Sequence, residues 1–401
     1  MCTASPVRPD PMRAQRDACT FKSGATVLDT LGVTDAERAA IPITHVIVMM
    51  KENRSFDHIF GQLYKNGQPD ADPAPDPFTN PDANGTAVAS FHQTNTCVKT
   101  DPGHQWANMH NQVNGGAMDG FVKNGAGLGS DGQFVMGYYD APELPFYYWL
   151  ANTYAIADRH FPSVLSGTWP NRDYLLLGTS VGVKSTGGGT PPASTPSIFS
   201  QLDSVNVTWG VYTDGQPLES SLGWAKTHKG VGNFAEFVTL LKEGRLPQVT
   251  FVDSVENKQD EHPPADMQVG EAWSKSVYDA AVASPLWPHL ALIFTYDEAG
   301  GYADHVPPPK GCIPSDDQSA FFELGIRVPL LAISPYARRH FVSHAPHEHT
   351  SILRFIQTIH GLPALTNRDA NSDALLDMFD FSCPNTSIAA APAAGQGACG
   401  P

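Results

Sequence analysis

The chain has 401 residues and carries 41 acidic against 25 basic side chains, a formal net charge of −16. That balance excludes a general nucleic-acid binder, which needs a basic face to neutralise phosphates, while 41% apolar residues exclude wholesale disorder. Uninterrupted apolar runs such as Val46–Met50 and Leu290–Phe294 fall far short of the roughly 20 residues that span a bilayer, so no transmembrane segment is expected.

Residues 1–40 read as an irregular lead-in with a short helical stretch at Asp35–Ala40. Ile43–Met50 is β-branched and apolar on both faces, the pattern of a buried strand in a mostly parallel sheet. Residues 65–90, rich in Pro, Asp, Asn and Gly, form a surface excursion. Gly103–Lys123 reads as helix broken at Gly115-Gly116, and Pro145–Tyr154 as an aromatic-rich helix. A Gly/Thr/Pro loop at 180–197 precedes a strand at Val207–Tyr212, a helix at Phe234–Glu243 and a short strand at Gln248–Val252. Glu271–Ser284 is an amphipathic helix; Leu290–Tyr296 and Val328–Ser334 are buried strands; Thr350–His360 is a helix with Ile352, Phe355, Ile356 and Ile359 on one face. Strands alternating with helices predict an α/β fold with a central, mostly parallel sheet and long loop insertions. Length alone allows two or three domains. The reading adopted is a lead-in (1–40), a single α/β domain (41–382) and a loose Ala/Gly-rich tail (383–401).

Six cysteines stand at 2, 19, 97, 312, 383 and 399, none in a CxxC pair. Their number and placement suit disulfides in an oxidising compartment, secreted or periplasmic, although fifteen pairings are open and residues 1–20 lack an apolar leader core.

In α/β sheets ligands bind beyond the carboxyl ends of the strands. After the first buried strand comes Lys51-Glu-Asn-Arg-Ser-Phe-Asp57. Asp297-Glu298 and then Asp304-His305 follow Leu290–Tyr296, and Asp253 and Asp260-Glu-His-Pro-Pro264 follow the 248–252 strand. Carboxylates, amide oxygens and imidazoles at successive strand ends are the ligand set of a divalent cation, and such a cation suits phosphate chemistry. The nucleophile expected beside it is a Ser or Thr at a turn feeding a helix. Ser166-Gly-Thr-Trp-Pro-Asn-Arg172 meets that need: Gly167 allows a tight turn, Pro170 suits a first helical turn, and Asn171 and Arg172 are placed to hold phosphate oxygens. Each signal has a plainer explanation. Glu52 and Asn53 could cap a helix, His104 and His262 could be packed or loop histidines, and Thr168 could be an ordinary turn residue. Their joint occurrence at strand ends favours the site.

The string Glu52-Asn-Arg-Ser-Phe-Asp-His58 resembles the signature of the bacterial phosphoesterase family, which includes phospholipases C and acid phosphatases. Further matching segments are His104-Gln-Trp106, Asn114-Gly-Gly116, Met118-Asp-Gly120, Thr168-Trp-Pro-Asn-Arg172, Gly178-Thr179, Glu261-His-Pro-Pro264, Thr295-Tyr-Asp-Glu298, Asp304-His-Val-Pro-Pro308 and His349-Thr-Ser351, together covering roughly residues 43 to 362. The resemblance implies an alkaline-phosphatase-like fold and one divalent ion, Ca, Mg, Mn or Zn. Its ligands would be Glu52, Asn53, Asp297, Glu298 and the oxygen of Thr168, which would also be the nucleophile. His104 and His262 would contact the phosphoryl group or leaving oxygen, with His262 the acid and Arg172 or His104 stabilising equatorial charge. Ser166 is the fallback nucleophile. The chain departs from the family at Glu348, Ala299 and Ala303, which bears on the pocket wall.

The expected reaction is hydrolysis of a phospholipid diester, a phospholipase C, through a phospho-threonine. A broad phosphomonoesterase is the alternative, and a catalytically silent secreted binding protein the second. The partner is a phospholipid or small phosphoester, with peripheral membrane contact. Trp169 and the Phe146, Tyr147, Tyr148 and Trp149 run could line a choline pocket or acyl entrance, although core packing is the expected role of the 146–149 run.

Overall fold

The computed structural model describes residues 4–126, 131–217, 222, 230–314, 320–387 and 390–397. Cys2, Cys399 and the outer ends of the lead-in and tail lie outside them.

The apolar run after residue 43 forms β1 (His45–Lys51), buried along nearly all its length. It lies inside an eight-stranded sheet with β2 (Ala155–Ala157), β3 (Trp209–Thr213), β4 (Val231–Gly232), β5 (Val249–Asp253), β6 (Leu290–Tyr296), β7 (Leu330–Ile333) and β8 (Phe341–Ser343), in the order β8-β2-β7-β6-β1-β5-β3-β4. β1 runs parallel to β5 and β6, β5 to β3, β3 to β4, and β8 to β2. The sheet is mostly parallel, as expected. β7 is shorter than the Val328–Ser334 expectation and antiparallel to both β6 and β2. The described part of the connection from β6 contains no α-helix, and without a helical crossover a returning chain re-enters a sheet in reverse. The strands β2, β4 and β8, of two or three residues, escape a period-2 reading because they are too short to show a period.

Flanking helices are α1 (Phe56–Phe60), α2 (Trp106–Val113), α3 (Pro145–Thr153), α4 (Thr168–Leu177), α5 (Phe234–Glu243), α6 (Met267–Val282) and α7 (His349–His360). Alternation along the strands divides the core in two. Ile47, Met49, Leu292 and Phe294 pack with α3, α5 and α6, whereas Val46, Val48, Ala291 and Ile293 pack with α4 and α7. Phe146, Tyr147 and Tyr148 are buried in the first cluster, with Trp149 packed against it. That corrects the idea that this run lines a ligand pocket and supports the core-packing alternative. α6 starts one turn before its expected Glu271, because Asp266 accepts from the Gln268 N–H and caps it.

The lead-in folds into three short helices and is tied to the body by the Cys19–Cys312 disulfide and by the Gly24 N–H on the Ala364 carbonyl at 2.8 Å. Cys97 and Cys383 are also disulfide-bonded. In the tail, the Gly395 N–H donates to Glu271 at 2.8 Å and that of Gly397 to Gln268 at 3.1 Å.

Because Leu292 is fully buried in a central strand and Leu28 is 55% exposed, truncating them should differ sharply. Leu292→Ala is predicted to cost about 2–5 kcal/mol in denaturant unfolding, and Leu28→Ala within about 0.5 kcal/mol of nothing. Equal losses would contradict the packing described.

Candidate active site

The parallel register sets the site. Lys51 pairs with Tyr296 across β1 and β6, and Met49 with Val252 across β1 and β5. Glu52, Asp253 and Asp297 therefore leave three adjacent strands at nearly one level. Two backbone bonds extend the ladder past the strands: Asp297 N–H to the Lys51 carbonyl and Glu52 N–H to the Asp260 carbonyl, both at 3.0 Å.

Asp297 and Glu298 are fully buried. Burial, then the charges of Glu52 and Glu298, pushes the Asp297 carboxyl well above the usual range, and Arg172 only partly opposes this. Burial likewise raises Glu298 well above its range, against hydrogen bonds from Gly300 and Asn53. The Asn53 amide donates to Glu298 Oε1 at 2.7 Å, which leaves Asn53 Oδ1 as a buried acceptor with no hydrogen-bond donor. Asp297 Oδ2 is in the same position. Gly300, at φ +63°, passes so close to Asn53 that a Cβ there would collide with its carbonyl and side-chain oxygens. Buried carboxylates short of positive charge and two orphaned oxygens are what a hard divalent cation would satisfy. The donor types suit the divalent cation that the sequence led us to expect.

α4 supplies the remaining groups. Thr168 is its first residue, 7% exposed, and Gly167 at the N-cap offers no side chain to the helix start. The Trp169 N–H donates to the Thr186 hydroxyl at 3.4 Å and Pro170 carries no N–H, so the Thr168 N–H is the one placed to meet an anion. One turn on, on the same face, Arg172 reaches Glu52 at 2.8 Å, Asp297 at 3.7 Å and Asp253 at 3.8 Å. Burial disfavours its charge, but Glu52, Asp297 and Asp253 outweigh that and hold it protonated. Arg172 also lies over the half-buried Trp169 ring, 5.6 Å from its centroid. Ser166 is fully buried and its hydroxyl donates to the Lys184 carbonyl, so of the two hydroxyls Thr168 is the better-placed nucleophile. Asn171, expected to touch phosphate, is engaged elsewhere. Its oxygen accepts from Val164 N–H at 3.0 Å and its amide donates to the Ser166 and Gly167 carbonyls at 2.8 and 3.1 Å. It braces the loop carrying Thr168 rather than facing the pocket.

His104 and His262 stand edge to face, 5.5 Å between ring centroids. Each Nδ1 hydrogen-bonds a carbonyl at 2.7 Å, Pro102 for His104 and Pro263 for His262. A carbonyl can only accept, so Nδ1 carries the hydrogen and Nε2 is the atom that exchanges protons. His104 Nε2 is 3.9 Å from Glu298, joining the pair to the acidic group. Asp101 lies 3.4 Å from His104 and 3.8 Å from His262.

The sequence-predicted Glu52, Asn53, Asp297, Glu298, Thr168, Arg172, His104 and His262 thus belong to one region. Asp304 and His305 do not join it. They pair with Asp57, Asp72 and the fully buried Arg327, whose guanidinium contacts Asp57 at 2.8 Å, Asp72 at 2.9 Å and Asp304 at 3.1 Å. With Arg159 on Asp72 at 2.8 Å and His305 raised, against its burial, to about 9 by Asp57 and Asp72, three cations face three acids, and the network is neutralised internally. Ala299 and Ala303 are core residues, so those departures alter packing. Glu348 caps α7 and is held by Arg368 at 2.8 Å. The next residue, His349, bonds the Asp297 carbonyl at 2.7 Å. The sequence placed Asp253 in the strand-end cluster and His349 in a matching segment without a specific role for either, and pointed to Asp101 in no way. Asp253 ends a strand beside Glu52 and was legible from the pairing of strand ends, whereas His349 comes to the site only through tertiary packing.

A mostly parallel α/β sheet whose carboxyl edge gathers acids, an amide, an alcohol and two imidazoles suits the hydrolysis of phosphoric esters. The model of the phosphoesterase family matches residues 43–363, and the chain belongs to that family. It is 31% identical to non-specific phospholipase C3 of Arabidopsis thaliana over 87% of this chain and 75% of that one. Against phospholipase C B of Mycobacterium tuberculosis it is 30% identical, over 85% and 78%. A phosphonate monoester hydrolase of Agrobacterium radiobacter superposes with a TM-score of 0.41 at 9% identity, over 80% and 74% of the two chains. A protein in the alkaline phosphatase superfamily from Vibrio parahaemolyticus gives 0.36 at 11%, over 78% of each. The chain is a phosphoric ester hydrolase.

With no cation present, raised carboxyls bind protons in the folded state that the unfolded chain has already released. Their stabilisation is present at low pH and lost as pH rises through the folded value. Asp297 and Glu298 follow this sign, and so does Asp260, raised from 3.8 to about 6 by burial and Glu52. In chelator-treated protein the stability these carboxyls contribute should therefore fall as pH rises from about 4 through about 6, the Asp260 range, and added Mn²⁺ should raise Tm more above that range than at its lower end. An equal Tm gain at both would contradict the proposed ligands.

Proposed function

We propose that the protein is a divalent-cation-dependent phospholipase C that hydrolyses phospholipid diesters to diacylglycerol and a phosphorylated head group through a phosphorylated Thr168. The observation that carries the reading is the meeting, at one sheet edge, of four acids deficient in positive charge with the open N-terminus of the helix that Thr168 begins.

A divalent cation held by Glu52, Asn53, Asp297, Glu298 and the Thr168 oxygen would polarise a phosphoryl oxygen and acidify the Thr168 hydroxyl. Thr168 supplies the attacking oxygen, its hydroxyl proton passing to solvent, and the Thr168 N–H at the helix start faces the phosphoryl charge. His262 gives a proton from Nε2 to the departing alcohol oxygen. His104, with its own Nε2 toward the same space, holds equatorial charge. Arg172 fixes Glu52 and Asp297 on one side and Trp169 on the other. Trp169, half-buried beside this helix start, offers an aromatic face for a quaternary ammonium head group. Water then attacks the same phosphorus, gives a proton to His262 and releases the phosphorylated head group, and the Thr168 oxygen regains its proton.

Kinetics on p-nitrophenyl phosphorylcholine and p-nitrophenyl phosphate test the reading. The diester should be preferred, and Thr168→Ala should lose at least about a thousandfold in kcat on it with an unchanged circular-dichroism spectrum. Preference for the monoester would make the protein a phosphomonoesterase, and full activity of Thr168→Ala would remove the nucleophile. We further propose export to an oxidising compartment, supported by the disulfide-bonded cysteines at 19, 97, 312 and 383. Free thiols at those positions in protein from the source cells would contradict it.

A further inference from the structure

Three site residues each follow, in sequence, a member of one buried cluster. Lys51 precedes Glu52, Tyr296 precedes Asp297, and Glu261 precedes His262. Lys51 and Glu261 are fully buried, with Lys51 Nζ 3.2 Å from Glu261 Oε1. The Tyr296 hydroxyl donates to Glu261 Oε2 and the Tyr147 hydroxyl to Oε1. Tyr147 also meets the Ser274 hydroxyl at 2.8 Å. Lys51 Nζ completes its shell with the carbonyls of Gln259 and, at 3.1 Å, Gly270, and lies 5.0 Å from the Trp273 ring.

Glu261 is held in an unusual backbone conformation to reach this place. Its φ is +76°, in the left-handed region that a side-chain-bearing residue seldom adopts without support from its surroundings. α6 presents a glycine, Gly270, where any Cβ would collide with the Glu261 side chain. The preceding carbonyl, on Asp260, accepts the Glu52 N–H. The chain just before His262 is therefore fixed on one side to β1 and β6 through the Glu261 carboxylate and on the other to Glu52 through the backbone. A buried ion pair is a weak source of net stability. Its value here is register, since one carboxylate with saturated partners fixes its own chain against two strands.

We propose that Glu261, clamped by Lys51, Tyr147 and Tyr296, is a positioning residue that sets His262 Nε2 against the Glu52–Asp297 edge, so that the leaving oxygen receives its proton opposite the attack by Thr168. This rests on the reading of His262 as the leaving-group acid.

The test separates protonation from folding. p-Nitrophenol leaves without help, whereas phenol needs a proton, so phenyl phosphorylcholine reports on the acid and p-nitrophenyl phosphorylcholine is far less sensitive to it. The intact protein is compared with His262→Ala, Glu261→Gln and the volume-conserving Tyr296→Phe. His262→Ala should lose about a hundredfold more kcat on the phenyl ester than on the p-nitrophenyl ester. Glu261→Gln and Tyr296→Phe should show the same selectivity, about tenfold, in kcat and not KM. If His262→Ala is selective while the other two lose both substrates equally or neither, the positioning role is wrong and the acid assignment stands. If His262→Ala is not selective, the acid assignment falls and the positioning role with it. Should Glu261→Gln fail to fold, Tyr296→Phe decides alone.

Discussion

The structure turns on a shortage of positive charge at the carboxyl edge of its sheet. Glu52, Asp253 and Asp297 share the guanidinium of Arg172, and Glu298 leans on the neutral Asn53 amide. Bringing acids together out of water is costly unless a cation joins them. The raised carboxyls of Asp297 and Glu298 and the orphaned oxygens of Asn53 and Asp297 are the local signs of that cost. Elsewhere the fold handles buried charge differently. Asp57, Asp72 and Asp304 share three cationic side chains, Arg327, Arg159 and His305, and Arg368 pairs Glu348 while donating to the carbonyls of Cys312, Phe321 and Ser163. Those clusters are complete within the protein. The contrast marks the sheet edge as the place built for something the chain itself does not supply.

The parallel register is what allows the acids to meet. Three neighbouring strands end at nearly one level, each with an acid as its last residue or the next one, and α4 brings an alcohol and a guanidinium four residues apart onto one helical face. The supporting loops are less regular but equally bound. Asn171 ties three backbone groups of the loop before Thr168, and Gly300 makes room for Asn53. The site is held by backbone ladders and by buried polar side chains whose partners are saturated.

Much of this was legible in the sequence, and the reasons are physical. β1 and β6 are apolar on both faces and continuous, so their limits emerged within about two residues, and the polar strings after them marked the edge. The buried amphipathic face of α7 was equally plain. The short strands β2, β4 and β8 show no period and were missed. The reversed direction of β7 depends on what the chain does after β6, which hydropathy does not encode. At the site, residue types that bind cations stood out, but their allegiance did not. Asp304-His305 looked like part of the edge and instead serves Arg327, because opposite charges choose partners in three dimensions. Asn171 looked like a phosphate ligand because an amide serves a loop backbone as readily as an anion. His349 reaches the Asp297 carbonyl from the start of α7, a contact with no local signature.

The account stands or falls on the cation, and metal titration by isothermal calorimetry of chelator-treated protein measures it most directly. Mn²⁺ should bind the intact protein at a single equivalent with release of protons, because Asp297 and Glu298 must give theirs up, and Asp297→Asn should abolish that binding while the protein stays folded. Binding of unchanged stoichiometry and affinity in Asp297→Asn, or none in the intact protein, would contradict it.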